Sequence, residues 1–315
     1  MSSPPVIAVD LGGTKIRAGL VEGARVTHVH SAPTPARLGA SAVLDAVADL
    51  VTVATTASVE QGQTPQAVGV GSAGVIDPRN GVVVSATDAL AGWTGTNLIA
   101  ELQHRTQKPV RAVNDVHAHA LGEARSGASA GARDSLFVAA GTGIGAGMIS
   151  HGCLVTGRNS AAGHIGHIPS GLASELRCPC GGTGHLEAIA SGPAVLEEYR
   201  RAGGRAAPSS TVELAAEARE GDTTAGEAFA KAARALGSAL GGIANVLSPE
   251  VVVLGGGLVS AGELWWPHLE RAFAAELIPA VGGLSPQRAE LGADAALIGA
   301  ASLWDGTNMK FEEER

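Results

Sequence analysis

The chain is 315 residues long, 45% apolar and 17% charged, with a formal net charge of −8 and 44 glycines against only 3% aromatic residues. That length favours two domains, and the apolar fraction argues against disorder. The acidic balance, without a Lys/Arg cluster or interleaved aromatics, speaks against nucleic acid as a partner; with no basic leader and no run of roughly eighteen apolar residues, the chain reads as cytoplasmic, without membrane contact.

VIAVD (6–10) has the length of a buried strand, LGGTK the composition of a turn and IRAGLV that of a second strand, which makes a hairpin. In SAVLDAVADLVTVATTASV the apolar residues Val43, Leu44, Val47, Leu50, Val51 and Val53 recur near the helical period. AVGVGSAGVID returns to strand and turn, and VRAV is a short strand ahead of Asn114 and Asp115. GTGIGAGMI (141–149) aligns without gaps with GTKIRAGLV (13–21), each after an apolar strand, so two halves built on one plan are expected. The helical stretch TAGEAFAKAARALGSALGGIANVL leads to a third strand and Gly turn, VVVLGGGLV (251–259). DAALIGAASLWD is helical and placed to pack back on the first half, and KFEEER reads as a solvated tail. Strands alternating with helices give an α/β protein. The opening hairpin, and a strand rather than a helix after GTGIGAG, exclude a plain dinucleotide-binding fold.

Gly turns at 12–15, 141–145 and 255–257 let backbone N–H groups approach an anion without a Cβ in the way. Each alone is an ordinary tight turn; three together fit a nucleoside triphosphate. Asp10 is placed either to face magnesium or to cap its turn, and Lys15 either to meet phosphate or to sit in solvent. Asn114 and Asp115 stand where a strand ends and a helix starts. Asp115 there is either a helix cap or the carboxylate that phosphoryl transfer to a hydroxyl needs within reach of the attacking O–H. Cys178, Cys180 and His185, with His164 and His167 upstream, offer two thiolates and more imidazoles than a tetrahedral zinc site requires. Cys153 stands alone and is expected to be a small buried apolar residue.

DLGGTK, the Asn-Asp pair, GTGIG, GHIGH, CPCGGTGHLEAIASG and VVVLGGG stand in an order and spacing that resemble the ROK sugar kinases over essentially the whole chain. The resemblance implies the two-lobed actin-like, ribonuclease H-like ATPase fold with the active site in the interlobe cleft. The small lobe would be 1–115 plus 297–315, and the large lobe 116–296 with a zinc-binding loop. It implies that Asp10, Gly12, Gly13, Thr14, Lys15, Gly141, Thr142 and Gly143 serve the phosphate side of magnesium ATP, and that Gly256 and Gly257 lie near the adenosine. Asn114, Asp115, His164, His167 and Glu187 would meet the sugar, with Asp115 as catalytic base for its 6-hydroxyl. A structural zinc would take His167, Cys178, Cys180 and His185, the last standing where the family usually has cysteine.

His164 replaces the glutamate that most glucokinases of the family carry. GHIGH with EAIASG is similar to the bacterial N-acetylmannosamine kinases, which implies phosphorylation of that sugar at O6 in sialic acid breakdown. A glucokinase of the same family is the alternative, and a non-catalytic sugar-sensing regulator a remote one. A homodimer or homotetramer is the expected assembly. With five residues before Val6, the chain is expected to lack the DNA-binding domain of the ROK repressors.

Overall fold

The computed structural model describes residues 4–87, 89–206 and 208–305; KFEEER lies outside them. In chain order they form β1 (Val6–Leu11), β2 (Lys15–Glu22), β3 (Arg25–Pro33), α1 (Ala40–Glu60), β4 (Ala67–Ser72), β5 (Val75–Ile76), β6 (Val83–Ser85), α2 (Leu98–Thr106), β7 (Val110–Asn114) and α3 (Asp115–Ser126). Then come β8 (Ser135–Ala140), β9 (Ile144–Ser150), β10 (Cys153–Val155), α4 (Glu187–Ala190), α5 (Gly192–Arg201), α6 (Thr211–Arg219) and α7 (Thr223–Leu247). β11 (Val251–Gly255), α8 (Trp266–Glu276), β12 (Pro286–Arg288) and α9 (Ala295–Ser302) complete the order.

Contacts divide the chain into two compact units. The first takes the described residues of Met1–Arg133, Gly147–Ala162 and Glu290–Arg315, the second Asp134–Ala146 and Gly163–Ala289.

In the first unit β1 pairs antiparallel with β2 and β2 with β3, while β4 and β7 follow parallel to β1, giving the order β3-β2-β1-β4-β7. Alternate residues of a strand point to opposite faces. Ile7, Val9, Leu11, Ile16, Ala18 and Leu20 accordingly share a buried cluster with Val43, Leu44, Val47 and Val51 of α1 and Leu98 and Leu102 of α2. Val6, Ala8 and Val21 pack with Leu297, Ile298 and Ala300 of α9. Cover on both faces is why VIAVD is apolar at almost every position rather than at every second one. By length and hydropathy α1 is apolar enough to cross a membrane, but its apolar stripe is spent on the sheet.

Small residues bring α3 and α9 down onto β4. A Cβ on Gly69 would fall inside the Ala300 carbonyl, and one on Gly71 would lie 2.7 Å from the Ala118 Cβ. Where the two helices cross, Cβ atoms on Gly122 and Gly299 would collide with the carbonyls of Ala295 and Ala118. This packing assigns α3 to the first unit, whereas the reading from sequence placed 116–296 in the other lobe. Residues 147–162 follow, because Gly147 lies against Ala120 and Val116 of α3.

In the second unit the first residues of β9 lie beside β8, and β8, β11 and β12 run parallel. α7 packs on α8 through Gly237 and Gly241, four residues apart on one helix face. The first two Gly turns each join consecutive strands, as the internal echo requires. The third leads into a 3-10 helix, Gly257–Leu264. Cys153 differs from expectation: it is half-buried on β10, opposite Ser150 on β9 in the first unit.

Candidate functional site

Asp10 and Asp115 lie at the carboxyl ends of the parallel strands β1 and β7 of the first unit. Asp10 stands one residue before the end of β1, opposite Arg17 on β2 and beside Gly71 on β4; in the next row Leu11 lies beside Ser72, and Ser72 beside Asn114. Because Gly71 lacks a side chain, the first turn of α3 closes over this end of the sheet, and an added Cβ would sit 3.6 Å from the Asp115 Cα. Burial pushes the Asp10 carboxyl above its ordinary value; His119 opposes that, Asp115 adds to it, and Arg17 and Lys15 oppose it. A half-buried carboxylate whose charge is disfavoured by burial and by a second carboxylate suits a hard divalent cation, so these residues fit magnesium. The adjoining turn closes through the Gly12 N–H to the Lys15 carbonyl at 3.1 Å, and Thr34 Oγ1 donates to the Gly12 carbonyl at 2.8 Å. Thr14 and Lys15 are exposed at its tip.

Asn114, rather than Asp115, caps α3. Its Oδ1 accepts the N–H groups of Val116 at 2.9 Å and His117 at 3.2 Å. Its Nδ2 donates to the Gly74 carbonyl and to Asp115 Oδ1, at 2.9 and 2.8 Å. The amide thereby uses both acceptor positions and both donors within the protein. Asp115 Oδ1 also accepts the Val116 N–H at 2.9 Å, so both polar contacts fall on one carboxylate oxygen and fix the plane of the group.

In the second unit the turn Gly141–Gly143 is held from two sides. The Gly192 N–H donates to the Gly141 carbonyl at 2.8 Å, and Glu187 Oε2 accepts the Ile144 N–H at 2.9 Å. A Cβ on Gly143 would lie 2.8 Å from that same Oε2, so Gly143 is the residue that admits the carboxylate. Thr142 is exposed beside it. At the third turn Gly256 has φ +92°, and an added Cβ would fall inside the Ala140 carbonyl. Gly257 lines a cavity of about 90 Å³ with Thr211, Ala215, Arg219, Phe229 and Leu258.

The ligand atoms of His167, Cys178, Cys180 and His185 all lie within 4.8 Å of one another. His167 Nδ1 is 3.7 Å from Cys178 Sγ, and His185 Nδ1 is 3.1 Å from Cys180 Sγ. Ligands around a tetrahedral zinc are separated by about 3.5 Å, so two thiolates and two imidazoles gathered this closely fit that ion. Burial pushes the Cys178 thiol up to about 11, with the Cys180 backbone opposing it and the Cys180 side chain adding to it; a bound cation reverses such a shift. The His164 and His167 rings stack with centroids 6.2 Å apart, His164 exposed and His167 half-buried.

The family profile described as "ROK family" matches residues 6–307. The chain belongs to the ROK family. It is 34% identical to the glucokinase of Thermotoga maritima, over 95% of this chain and 96% of the relative. It is 31% identical to the N-acetylmannosamine kinase of Shigella flexneri, over 96% and 99%. The crystal structure of a ROK family glucokinase from Streptomyces griseus in complex with glucose and AMPPNP superposes with a TM-score of 0.82 at 31% identity, over 96% of this chain and 99% of that one. The α/β fold is thus the actin-like fold of the ROK sugar kinases, and the chain is a sugar kinase of that family.

The sequence alone picked out Asp10 and Asp115 and the four residues His167, Cys178, Cys180 and His185, whose ligand atoms the structure brings within 4.8 Å of one another. It did not locate Gly71, Gly74, His119 or Arg219, whose relevance depends on contacts far along the chain. The one local signal among them was the His-x-His of 117–119 following the Asn-Asp pair.

Proposed function

We propose that this chain transfers the γ-phosphoryl group of ATP, as its magnesium complex, to the 6-hydroxyl of N-acetyl-D-mannosamine. Asp115 orients the hydroxyl and takes its proton while the oxygen attacks phosphorus and ADP leaves. Asp10 faces the magnesium ion, the turns of Gly12, Gly13, Thr14, Lys15 and of Gly141, Thr142, Gly143 face the phosphates, and Gly256 and Gly257 the nucleoside. His164, His167 and Glu187 meet the sugar, whereas Asn114, expected from sequence to hold a sugar hydroxyl, has its amide committed within the protein and holds Asp115 in place. Zinc on His167, Cys178, Cys180 and His185 is structural, since four protein ligands leave no position for water. The protein acts in the cytoplasm on small molecules, as a homodimer or homotetramer.

The observation that carries the choice of sugar is His164. A glutamate at this place only accepts hydrogen bonds, which suits neighbouring hydroxyls; an imidazole can also donate, which suits the carbonyl of an acetamido group. The second reading, glucose, is favoured by the slightly higher identity to glucokinases, 34% against 31%. Steady-state kinetics with both sugars tests the choice, together with His164→Glu. The expected result is a larger kcat/KM for N-acetylmannosamine, with the preference moving toward glucose by about tenfold or more in the variant. A wild-type preference for glucose that His164→Glu leaves unchanged removes the acetamido argument.

A further inference from the structure

Two residues after Asp115, α3 carries a histidine that the phosphoryl-transfer reading does not use. His117 is 3% exposed, and its Nε2 lies 2.9 Å from the carbonyl oxygen of Ala162. A carbonyl only accepts, so Nε2 is the protonated nitrogen and donates. Ala162 is the residue at which the chain is about to enter the GHIGH turn. Its N–H is already tied to the Thr156 carbonyl at 3.0 Å, so the His117 bond fixes the other side of the same residue. The next residue, Gly163, has φ +91°, and a Cβ there would fall inside the Ala146 carbonyl; the Gly163 carbonyl accepts the Ala146 N–H at 2.7 Å. Ala162 and Gly163 are therefore held on successive sides immediately before His164. The ring is oriented at its root as well, because the His117 N–H is one of the two groups capped by Asn114.

We propose that His117 is a positioning residue for the sugar: through its bond to the Ala162 carbonyl it fixes where the GHIGH turn begins, and so where His164 and His167 stand. The inference rests on the reading that these two histidines meet the sugar. Without the imidazole, the Ala162 carbonyl has lost a buried donor and the entry to the turn is free to shift. Neither His117 nor Ala162 belongs to the Gly turns assigned to the nucleotide, so the effect falls first on sugar affinity.

The test is calorimetric titration of the zinc-loaded, full-length protein with N-acetylmannosamine and with glucose, and separately with magnesium AMPPNP. The variants are His117→Ala, His117→Asn, His117→Gln and His164→Ala. A glutamine amide reaches where Nε2 stands, whereas an asparagine amide falls short. The expected result is a Kd about tenfold higher for whichever sugar the wild type binds better in His117→Ala and His117→Asn, near recovery in His117→Gln, and an unchanged Kd for the nucleotide in all three. If His117→Ala does not fold, the Asn and Gln variants carry the comparison. Wild-type sugar affinity in His117→Asn, or nucleotide and sugar affinities falling together, overturns the proposal while loss of sugar binding in His164→Ala leaves the sugar-site reading standing. Undiminished sugar affinity in His164→Ala overturns that reading, and the inference with it.

Discussion

The Asn114 amide is committed at all four of its hydrogen-bonding positions, which leaves its neighbour as the proposed base. One oxygen of Asp115 takes both the Asn114 and the Val116 contacts, and in the proposed reaction the other receives the substrate proton. Replacing it by Asn keeps an acceptor for the Val116 N–H but removes the base, so Asp115→Asn is expected to fold with a Tm near wild type and to lose about 10³-fold in kcat, measured by coupled ADP release. Asp10 behaves differently. Burial and Asp115 raise its acid value in the folded protein, so the folded state binds the proton more tightly than the unfolded chain does. Stability therefore falls as pH rises from the ordinary aspartate range through the folded value; the penalty is complete above that window and absent below it. Asp10→Asn should accordingly raise Tm at pH 8, with a gain that shrinks to nothing below about pH 4, while phosphoryl transfer is lost. A gain of equal size at both pH values would place its origin outside ionisation. At this scale the sequence disclosed residue types but not their division of labour: Asn and Asp are equally good caps, and only the hydrogen bonds show which of the two caps α3.

The same limit holds for elements. α1 and α7 were legible from apolar periodicity to within a residue, because an amphipathic helix advertises the face it buries, whereas α9, buried on every side, was read three residues too long at its end. The reason α7 contains paired glycines was not legible, since pattern cannot tell a glycine required by a close approach from one that is merely tolerated. Gly241 and Gly242 are adjacent in α7. A Cβ on Gly241 would lie 2.5 Å from the Phe273 carbonyl oxygen of α8, whereas one on Gly242 meets nothing within 4 Å. Identical substitutions should therefore have opposite signs. Gly241→Ala must push α8 away and is expected to cost about 2 kcal/mol or more, and Gly242→Ala to stabilise by about 0.5–1 kcal/mol through helix propensity. Thermal or denaturant unfolding of the two variants decides this, and equal shifts would contradict the packing of α7 on α8. The small-residue seam of Gly69, Gly71, Gly122 and Gly299 follows the same logic and lies closer to the chemistry, because it sets how far the first turn of α3 descends toward Asp10.

For the whole molecule, the Gly-turn echo and the order of motifs were enough to anticipate an α/β protein in two parts, because strand, turn and strand are local patterns. Where one part ends was not legible: α3 goes with the first unit because of glycines at 122 and 299, far apart in sequence. The stretch from Gly163 to Leu186 shows a third kind of limit. It contains only short 3-10 turns and the isolated pairings Pro169 with His185 and Arg177 with Thr183. It offers little apolar burial with which to offset the entropy of ordering so many residues, yet it carries His164 and leads into Glu187. The four ligands from His167 to His185 supply the missing constraint if zinc joins them, and metal affinity then becomes part of the folding free energy. Removing zinc with a strong chelator is therefore expected to lower Tm and to weaken sugar binding by about tenfold or more, while magnesium AMPPNP affinity falls less, because of the three Gly turns it is Gly141–Gly143 that is held from the end of this loop, through Glu187. Elemental analysis before and after chelation, with calorimetric titration of both ligands, reads all three effects. Undialysed protein with less than about a tenth of an equivalent of zinc that still binds sugar at full affinity would mean that the loop is ordered by its backbone turns alone, and His185 would then be a departure from the metal site rather than one of its ligands.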